Sequence, residues 1–174
     1  MQLSDFVFLR QGKIVKLLEP QDAHYLAAID QHLTPNHERA LLLLHGFSSS
    51  PAVYRAILPL IRGYDRVLCP ILPGHSESIE AFGQATVQQW RNTAREACEQ
   101  LLAHYSQVSV VGLSLGGALA LELSQTLPLE HLFLLAPALK LHYSAFLAYW
   151  LYQSTQYHPP LVGQFGTHIA FRSK

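Results

Sequence analysis

Short apolar runs alternate with amphipathic stretches through the middle of this 174-residue chain. Four runs are too short for helices and are bounded by turn residues, as buried strands are: 40–44, 66–70, 108–111 and 131–135. A helix is predicted from Val87, because Thr86 and Gln89 form a capping box before apolar residues that recur on one face. Strands that alternate with helices predict an α/β fold with a mostly parallel sheet and helices on both faces.

The N-terminal third carries less regular patterns. Two runs at 6–10 and 13–18 flank a Gln-Gly dipeptide and predict a β-hairpin. Residues 22–33 are predicted to form a helix that a Thr-Pro dipeptide ends. A second helix is predicted over 51–61, with Ser50 as its N-cap and a proline at its first position.

One long apolar stretch, 132–152, is about the length that a membrane-spanning helix needs. Pro137, Lys140 and His142 interrupt it. We therefore interpret it as a buried strand followed by a separate amphipathic helix, and we expect no stable membrane span.

Composition and charge narrow the classes of function. Twelve basic and twelve acidic residues give a formal net charge of +0, which argues against a nucleic-acid partner. None of the ten histidines falls in an H-x-x-x-H or H-E-x-x-H arrangement, so we predict no metal site and no cofactor. Cys69 and Cys98 are expected to be reduced packing residues. The N-terminus lacks the pattern of a signal peptide, which predicts a cytoplasmic protein.

The strongest chemical signal is the sequence Gly-Leu-Ser-Leu-Gly at 112–116, between a strand pattern and a helix of small residues. G-x-S-x-G in a strand–turn–helix context is typical of a nucleophile elbow. Gly112 and Gly116 are expected to let the strand and the helix approach closely, with Ser114 in a strained backbone conformation that exposes its hydroxyl. A serine in a non-catalytic turn is the alternative.

Two further segments resemble motifs of the α/β-hydrolase superfamily. His-Gly-Phe at 45–47 is similar to its HG-x oxyanion motif, and 72–78 resembles its P-G-x-G-x-S loop, although Ser76 stands where glycine is usual. The order and spacing of the three motifs are similar to those of the carboxylesterase and monoacylglycerol-lipase group, as is Ala-Pro-Ala at 136–138. The resemblance covers about residues 40–139.

The resemblance implies a serine hydrolase that cleaves small-molecule or lipid carboxylic esters through an acyl-enzyme on Ser114. The backbone N–H groups of Phe47 and Leu115 would stabilise the oxyanion. His75 would stabilise its loop rather than act as the base. Supporting positions for the elbow and the oxyanion loop are implied at His45, Gly46, Gly112 and Gly116. Thioester or peptide hydrolysis on the same elbow is left open.

The rest of a catalytic triad is not evident in the sequence. The family order is Ser, then Asp or Glu, then His, yet residues 115–174 contain no aspartate and only two glutamates, Glu122 and Glu130. Neither glutamate is expected to orient a catalytic histidine. Among the histidines that follow Ser114, His168 is a weak candidate for the base.

We therefore expect the acid and the base to lie beyond Lys174, in a chain truncated inside its lid. On this interpretation residues 1–139 are the N-terminal part of the hydrolase core and 140–174 begin the lid. An exposed sheet edge would favour self-association. The alternative is a catalytically inactive, hydrolase-like fragment or a binding protein for apolar ligands.

Overall fold

The computed structural model describes residues 7–10, 13–16 and 24–139, which divide between two compact units. One unit contains a β-hairpin of strands β1 (Val7–Arg10) and β2 (Lys13–Lys16), which pair antiparallel. This pairing confirms the predicted hairpin.

The other described unit, residues 24–139, is built on a five-stranded sheet. Its strands are β3 (Ile29–His32), β4 (Arg39–Leu44), β5 (Arg66–Cys69), β6 (Gln107–Leu113) and β7 (Leu132–Leu135). Its helices are α1 (Ala52–Arg55), α2 (Ile79–Gln84), α3 (Val87–Leu102) and α4 (Leu115–Ser124), with a 3₁₀ helix at Leu58–Leu60. The spatial order is β3-β5-β4-β6-β7, and every neighbouring pair is parallel except β3 and β5. The predicted fold class, an α/β fold with a mostly parallel sheet, is confirmed.

Strand β4 lies at the centre of the sheet and is buried on both faces. Alternate side chains enter two separate hydrophobic clusters. Leu42 and Leu44 pack with α3 and α4 on one face, and Leu41 and Leu43 pack with Tyr54 of α1 on the other. Burying each leucine contributes about 2 kcal/mol, so the apolar run is a main source of stability for the sheet that carries the site.

The predicted helix over 22–33 is wrong. The chain forms a short 3₁₀ turn at 24–26 and then the edge strand β3. Ile29 is only 2% exposed, and the Asp30 carboxylate accepts two hydrogen bonds from the Arg66 guanidinium of β5, at 2.8 and 2.9 Å. These contacts with a distant strand outweigh the local helical pattern.

The predicted helix over 51–61 is also too long. Helix α1 ends at Arg55, and a 3₁₀ helix at Leu58–Leu60 follows. Pro59 explains the break, because it has no N–H to donate and its ring crowds the carbonyl four residues earlier. Helix α2 was not predicted from the sequence. Its N-cap is Ser78, whose side chain accepts a hydrogen bond from the Ala81 N–H.

Helix α3 begins at the predicted capping box of Thr86 and Gln89, with both of its reciprocal hydrogen bonds formed. Its buried residues are Trp90, Ala94, Ala97, Cys98 and Leu101. Val87, the first residue of the helix, is 52% exposed. Cys69 and Cys98 are both buried and unbridged, as predicted.

Strand β7 forms one edge of the five-stranded sheet as the described residues show it, with Phe133 and Leu135 each 45% exposed. Association through this edge stays a prediction. The apolar stretch at 132–152 begins with β7, and its remainder after residue 139 lies outside the described residues. Among the helices of the described ranges, none has the length and hydropathy to cross a bilayer.

Candidate active site

Ser114 sits on a sharp turn between the last residue of β6 and the first residue of α4. Its backbone angles are φ 52° and ψ −112°, a conformation that L-residues rarely adopt. The turn is held from both sides, because the Ser114 N–H donates to the Leu135 carbonyl at 2.9 Å and the Ser114 carbonyl accepts from the Ala138 N–H at 3.0 Å. Strain of this kind persists only where the surroundings impose it, and it is concentrated at functional sites.

Two glycines allow the strand and the helix of this turn to pack closely. A Cβ on Gly112 would lie 2.3 Å from the Gly116 carbonyl oxygen, and a Cβ on Gly116 would lie 2.0 Å from the Leu44 carbonyl oxygen. Both distances are far below any contact that a real Cβ makes. Each glycine is therefore required by the close approach of backbone, and the Gly116 contact brings α4 against the end of β4.

The segment after β4 lies directly beside the serine. A Cβ on Gly46 would be 3.4 Å from the Ser114 Cβ. The N–H of Leu115, at the first position of α4, has no partner within its helix. Among residues 24–139, neither the Leu115 N–H nor the Phe47 N–H donates to a backbone or side-chain acceptor. Two N–H groups without a partner among the described residues thus belong to the segments that meet at Ser114, and backbone N–H groups are the kind of donor that can stabilise a developing oxyanion.

His45 is fully buried, and both of its ring nitrogens are engaged. Its Nε2 accepts a hydrogen bond from the Leu72 N–H at 3.1 Å. The proton of the neutral ring is therefore on Nδ1, which donates to the Gly46 carbonyl at 3.1 Å. Burial lowers the pKa of His45 to about 4. Since neither nitrogen is free, this arrangement suits support of the loop and not proton transfer from Ser114; that supporting role stays a prediction.

His75 is also fully buried and lies edge-on to His45, with ring centroids 4.9 Å apart. Its Nδ1 donates to the carbonyls of Leu72 and Pro73 at 3.1 and 3.2 Å. Burial lowers the pKa of His75, so the ring is neutral near pH 7. Its Nε2 is buried and meets no hydrogen-bond partner among the described residues.

Ser76, where the family usually has glycine, has a φ of 60°. This is the left-handed region that favours glycine. The Ser76 hydroxyl donates to the Leu26 carbonyl at 3.2 Å, so a tertiary hydrogen bond accompanies the strained conformation. The serine at this position therefore adopts a backbone conformation that glycine adopts readily.

The Phe47 side chain is 55% exposed and rests on an aromatic cluster. Its ring centroid lies 4.8 Å from that of Phe82, 5.8 Å from that of Trp90 and 6.4 Å from that of His75, all edge-on. Phe82 and Trp90 were not among the predicted site residues. A Ser78 N-cap before apolar residues was the sequence signal that could have placed Phe82 on a helix after the 72–78 loop.

No described acid or histidine reaches the Ser114 hydroxyl. Glu122 pairs with Arg91 at 2.9 Å. Glu130 lies before β7, where it contacts Arg39 at 3.4 Å and His131 at 3.5 Å. The other histidines that follow Ser114, including His168, fall in the part of the chain after 139 that is not described. Within residues 24–139, the structure therefore does not bring a triad acid or base to the serine.

The described ranges also contain no group of three His, Cys, Asp or Glu side chains that could hold a metal ion. A surface cleft of about 570 Å³ is lined by residues such as Leu33, Arg62 and Tyr64. It lies where β5 begins, at the end of the sheet opposite to Ser114, and includes none of the predicted site residues.

The sheet is mostly parallel and carries a strained serine directly after strand β6. A glycine-containing loop after the neighbouring strand β4 lies beside this serine. Together these features define a hydrolase-type α/β protein. Residues 41–173 match the family model described as "Alpha/beta hydrolase family". The chain belongs to this family.

Two relatives agree with this assignment. The chain is 31% identical over 96 residues to a carboxylesterase of Bacillus subtilis (strain 168), an alignment that covers 53% of this chain and 39% of the relative. It is 30% identical over 107 residues to a thermostable monoacylglycerol lipase of Bacillus sp. (strain H-257), covering 59% of this chain and 42% of that enzyme. The matched region is thus about two-fifths of the length of either relative.

Solved structures match over a longer stretch. A structure from work on LipS and LipT, two metagenome-derived lipolytic enzymes, has a TM-score of 0.65 and covers 84% of this chain and 62% of that one. At 22% sequence identity this likeness confirms the fold alone.

Proposed function

We propose that this protein hydrolyses carboxylic esters and that Ser114 is the nucleophile. The observation that carries the proposal is the strained conformation of Ser114, at φ 52°, beside two backbone N–H groups that have no partner among the described residues. The carboxylesterase and the monoacylglycerol lipase among the relatives support esters as the substrate class, either small molecules or lipids.

In the proposed reaction, the Ser114 hydroxyl oxygen attacks the ester carbonyl carbon while its proton passes to a base. The negative charge that develops on the carbonyl oxygen is stabilised by the N–H groups of Phe47 and Leu115. One such donor typically lowers the barrier by about 3 kcal/mol. The alcohol then leaves with a proton, and water hydrolyses the acyl-enzyme to release the acid and regenerate the serine.

The proposal also assigns the remaining parts of the enzyme. In this proposal Phe47 and the aromatic cluster under it form one wall for the ester group, because Phe47 is 55% exposed and directly follows Gly46, the residue beside the serine. The lid that the sequence predicts to begin in residues 140–174 lies outside the described residues. Within residues 24–139, no carboxylate or imidazole contacts Ser114. The base and the acid are therefore proposed to come from outside this range.

Hydrolysis of p-nitrophenyl butyrate and of a monoacylglycerol by the purified full-length protein, with any residues that follow Lys174 included, tests this function. We expect turnover that Ser114→Ala abolishes and that Ser106→Ala, a change at an exposed serine, leaves unchanged. Turnover that persists in Ser114→Ala would exclude Ser114 as the nucleophile.

A second candidate function is binding of apolar ligands without catalysis. It is favoured by one observation, that no described acid or base reaches the Ser114 hydroxyl. On this account both the unmodified chain and Ser114→Ala bind a long-chain fatty acid with equal affinity, and neither releases p-nitrophenol above background. Ester turnover that depends on Ser114 would eliminate this alternative.

A further inference from the structure

We infer that Trp90 and His75 are positioning residues for the Phe47 N–H, the proposed oxyanion donor. The inference rests on the proposed function for its catalytic consequence, but the coupling that it describes is a property of the structure alone. It connects the buried face of helix α3 to a peptide group beside Ser114, through one hydrogen-bonded route and one packing route.

The hydrogen-bonded route begins at α3. The Trp90 Nε1–H donates to the Pro73 carbonyl at 2.9 Å. The His75 Nδ1–H donates to the same carbonyl at 3.2 Å and to the Leu72 carbonyl at 3.1 Å. The backbone at 72–73 is thus held by an indole and an imidazole, and its own Leu72 N–H is directed at His45 Nε2, 3.1 Å away.

The route ends at the oxyanion donor itself. His45 donates from Nδ1 to the Gly46 carbonyl at 3.1 Å. That carbonyl and the Phe47 N–H belong to one planar trans peptide group, so fixing the direction of the C=O also fixes the opposite direction of the N–H. A hydrogen bond accepted by the carbonyl also polarises the group and strengthens the N–H as a donor.

The packing route acts on the same residue. The Phe47 ring lies edge-on to the rings of Trp90 and His75, at 5.8 and 6.4 Å between centroids. Both of these rings are buried, whereas Phe47 is mostly exposed. The two buried rings therefore restrict the side chain of a residue whose other face is open to substrate or solvent.

Packing alone does not explain why residue 75 is a histidine. Its buried Nε2 has no partner among the described residues. A phenylalanine would fill the same space among Phe47, Phe82 and Trp90 without leaving an unsatisfied acceptor. What the imidazole adds is the Nδ1–H that ties down Leu72 and Pro73, at the point where the hydrogen-bonded route passes to His45.

Trp90→Phe in the full chain tests the inference, because it removes the Nε1–H and keeps an aromatic ring. We expect the Leu72 amide to exchange with solvent at least about tenfold faster, with the Leu42 amide in the central strand unchanged. We expect kcat for p-nitrophenyl butyrate to fall about five- to twentyfold at a KM within about twofold. Removing an oxyanion donor outright costs about 10²–10³-fold, so a donor that is only misaligned should lose less.

The matched control is Cys98→Ala, which removes a buried side chain from the same helix two turns later, outside the network. It should destabilise the protein and leave both the Leu72 exchange rate and kcat near their original values. If Trp90→Phe alters Leu72 exchange no more than Cys98→Ala does, the inference is overturned. If Leu72 exchange accelerates selectively but neither protein hydrolyses esters, the coupling stands and the proposed function fails.

Discussion

His45 should make this protein sensitive to mild acid. Its imidazole is buried and neutral in the folded chain, with a pKa lowered to about 4 from an ordinary value of 6.5. In the unfolded chain the same ring is exposed and takes up a proton near pH 6.5. Between these two pH values the unfolded state therefore binds more protons than the folded state, so the free energy of unfolding falls as the pH falls.

The size of the effect follows from the two pKa values. Each pH unit in that window costs at most about 1.4 kcal/mol. Integrated from pH 7.5, the loss is about 2 kcal/mol by pH 5 and about 3 kcal/mol by pH 4, and it levels off at about 3.4 kcal/mol at lower pH. Folded domains are stable by only about 5–15 kcal/mol, so this one residue should be visible in the pH dependence. Burial of the His75 ring acts in the same direction.

The assay is urea unfolding, followed by circular dichroism, at pH values from 7.5 to 4. His45→Asn keeps a donor for the Gly46 carbonyl and cannot titrate, but it leaves the Leu72 N–H without its acceptor. We expect this variant to be about 1–3 kcal/mol less stable than the original at pH 7.5, and the two curves to converge as the pH falls.

Tyr54→Phe is the matched control. It removes the hydrogen bond that the Tyr54 hydroxyl donates to the Leu44 carbonyl at 2.8 Å, one residue before His45. Because the pKa of Tyr54 is raised above its usual value of 10, this group does not titrate in the acid range. Its variant should lose about 1 kcal/mol at every pH and run parallel to the original. If His45→Asn also runs parallel to the original, His45 is not the source of the acid sensitivity and our account of its buried neutral state is refuted.

Two other predictions concern packing. Gly116→Ala should destabilise the chain by about 3 kcal/mol or more, because its Cβ would lie 2.0 Å from the Leu44 carbonyl oxygen. Gly83 lies on helix α2, and nothing lies within 4 Å of a Cβ added there. Gly83→Ala should therefore be neutral or stabilising by up to about 1 kcal/mol. Equal thermal midpoints for the Gly116→Ala and Gly83→Ala variants would contradict this expected difference in stability. Burial raises the pKa of the Cys69 thiol to about 12 and that of the Cys98 thiol to about 11, so both should react with a chromogenic disulfide reagent at pH 8 only after unfolding in urea. Rapid reaction of both thiols in the native protein would show that they are accessible.

Much of the fold could be predicted from local pattern where that pattern has one solution. The Leu41–Leu44 run is too short for a helix and apolar on both faces, so it can only be a central strand. The capping box of Thr86 and Gln89 fixes the start of α3 by two local hydrogen bonds. The turn at Ser114 could also be predicted from local pattern, because a strand, a G-x-S-x-G turn and a helix of small residues follow one another within a few residues.

The sequence predictions were wrong or incomplete mainly where contacts between distant segments of the chain determine the local structure. Three of the four β3 residues are exposed, so the strand has almost no alternating pattern. It forms because Ile29 is buried and because Asp30 meets Arg66, 36 residues further on. The neighbours of Phe47 were missed for the same reason, since Phe82 and Trp90 come from separate helices and meet only in the folded chain. The early end of α1 is different, because Pro59 was a local signal.

The central claim, that Ser114 is an activated nucleophile, is tested most directly by covalent labelling. The native full-length protein, with any residues that follow Lys174 included, is treated with a fluorophosphonate, digested, and analysed by tandem mass spectrometry, with Ser114→Ala and urea-unfolded protein as controls. We expect a single phosphonyl adduct on the peptide that contains Ser114, and no adduct in either control. An adduct that is absent from Ser114, or that forms equally on other serines and in urea, would contradict the account.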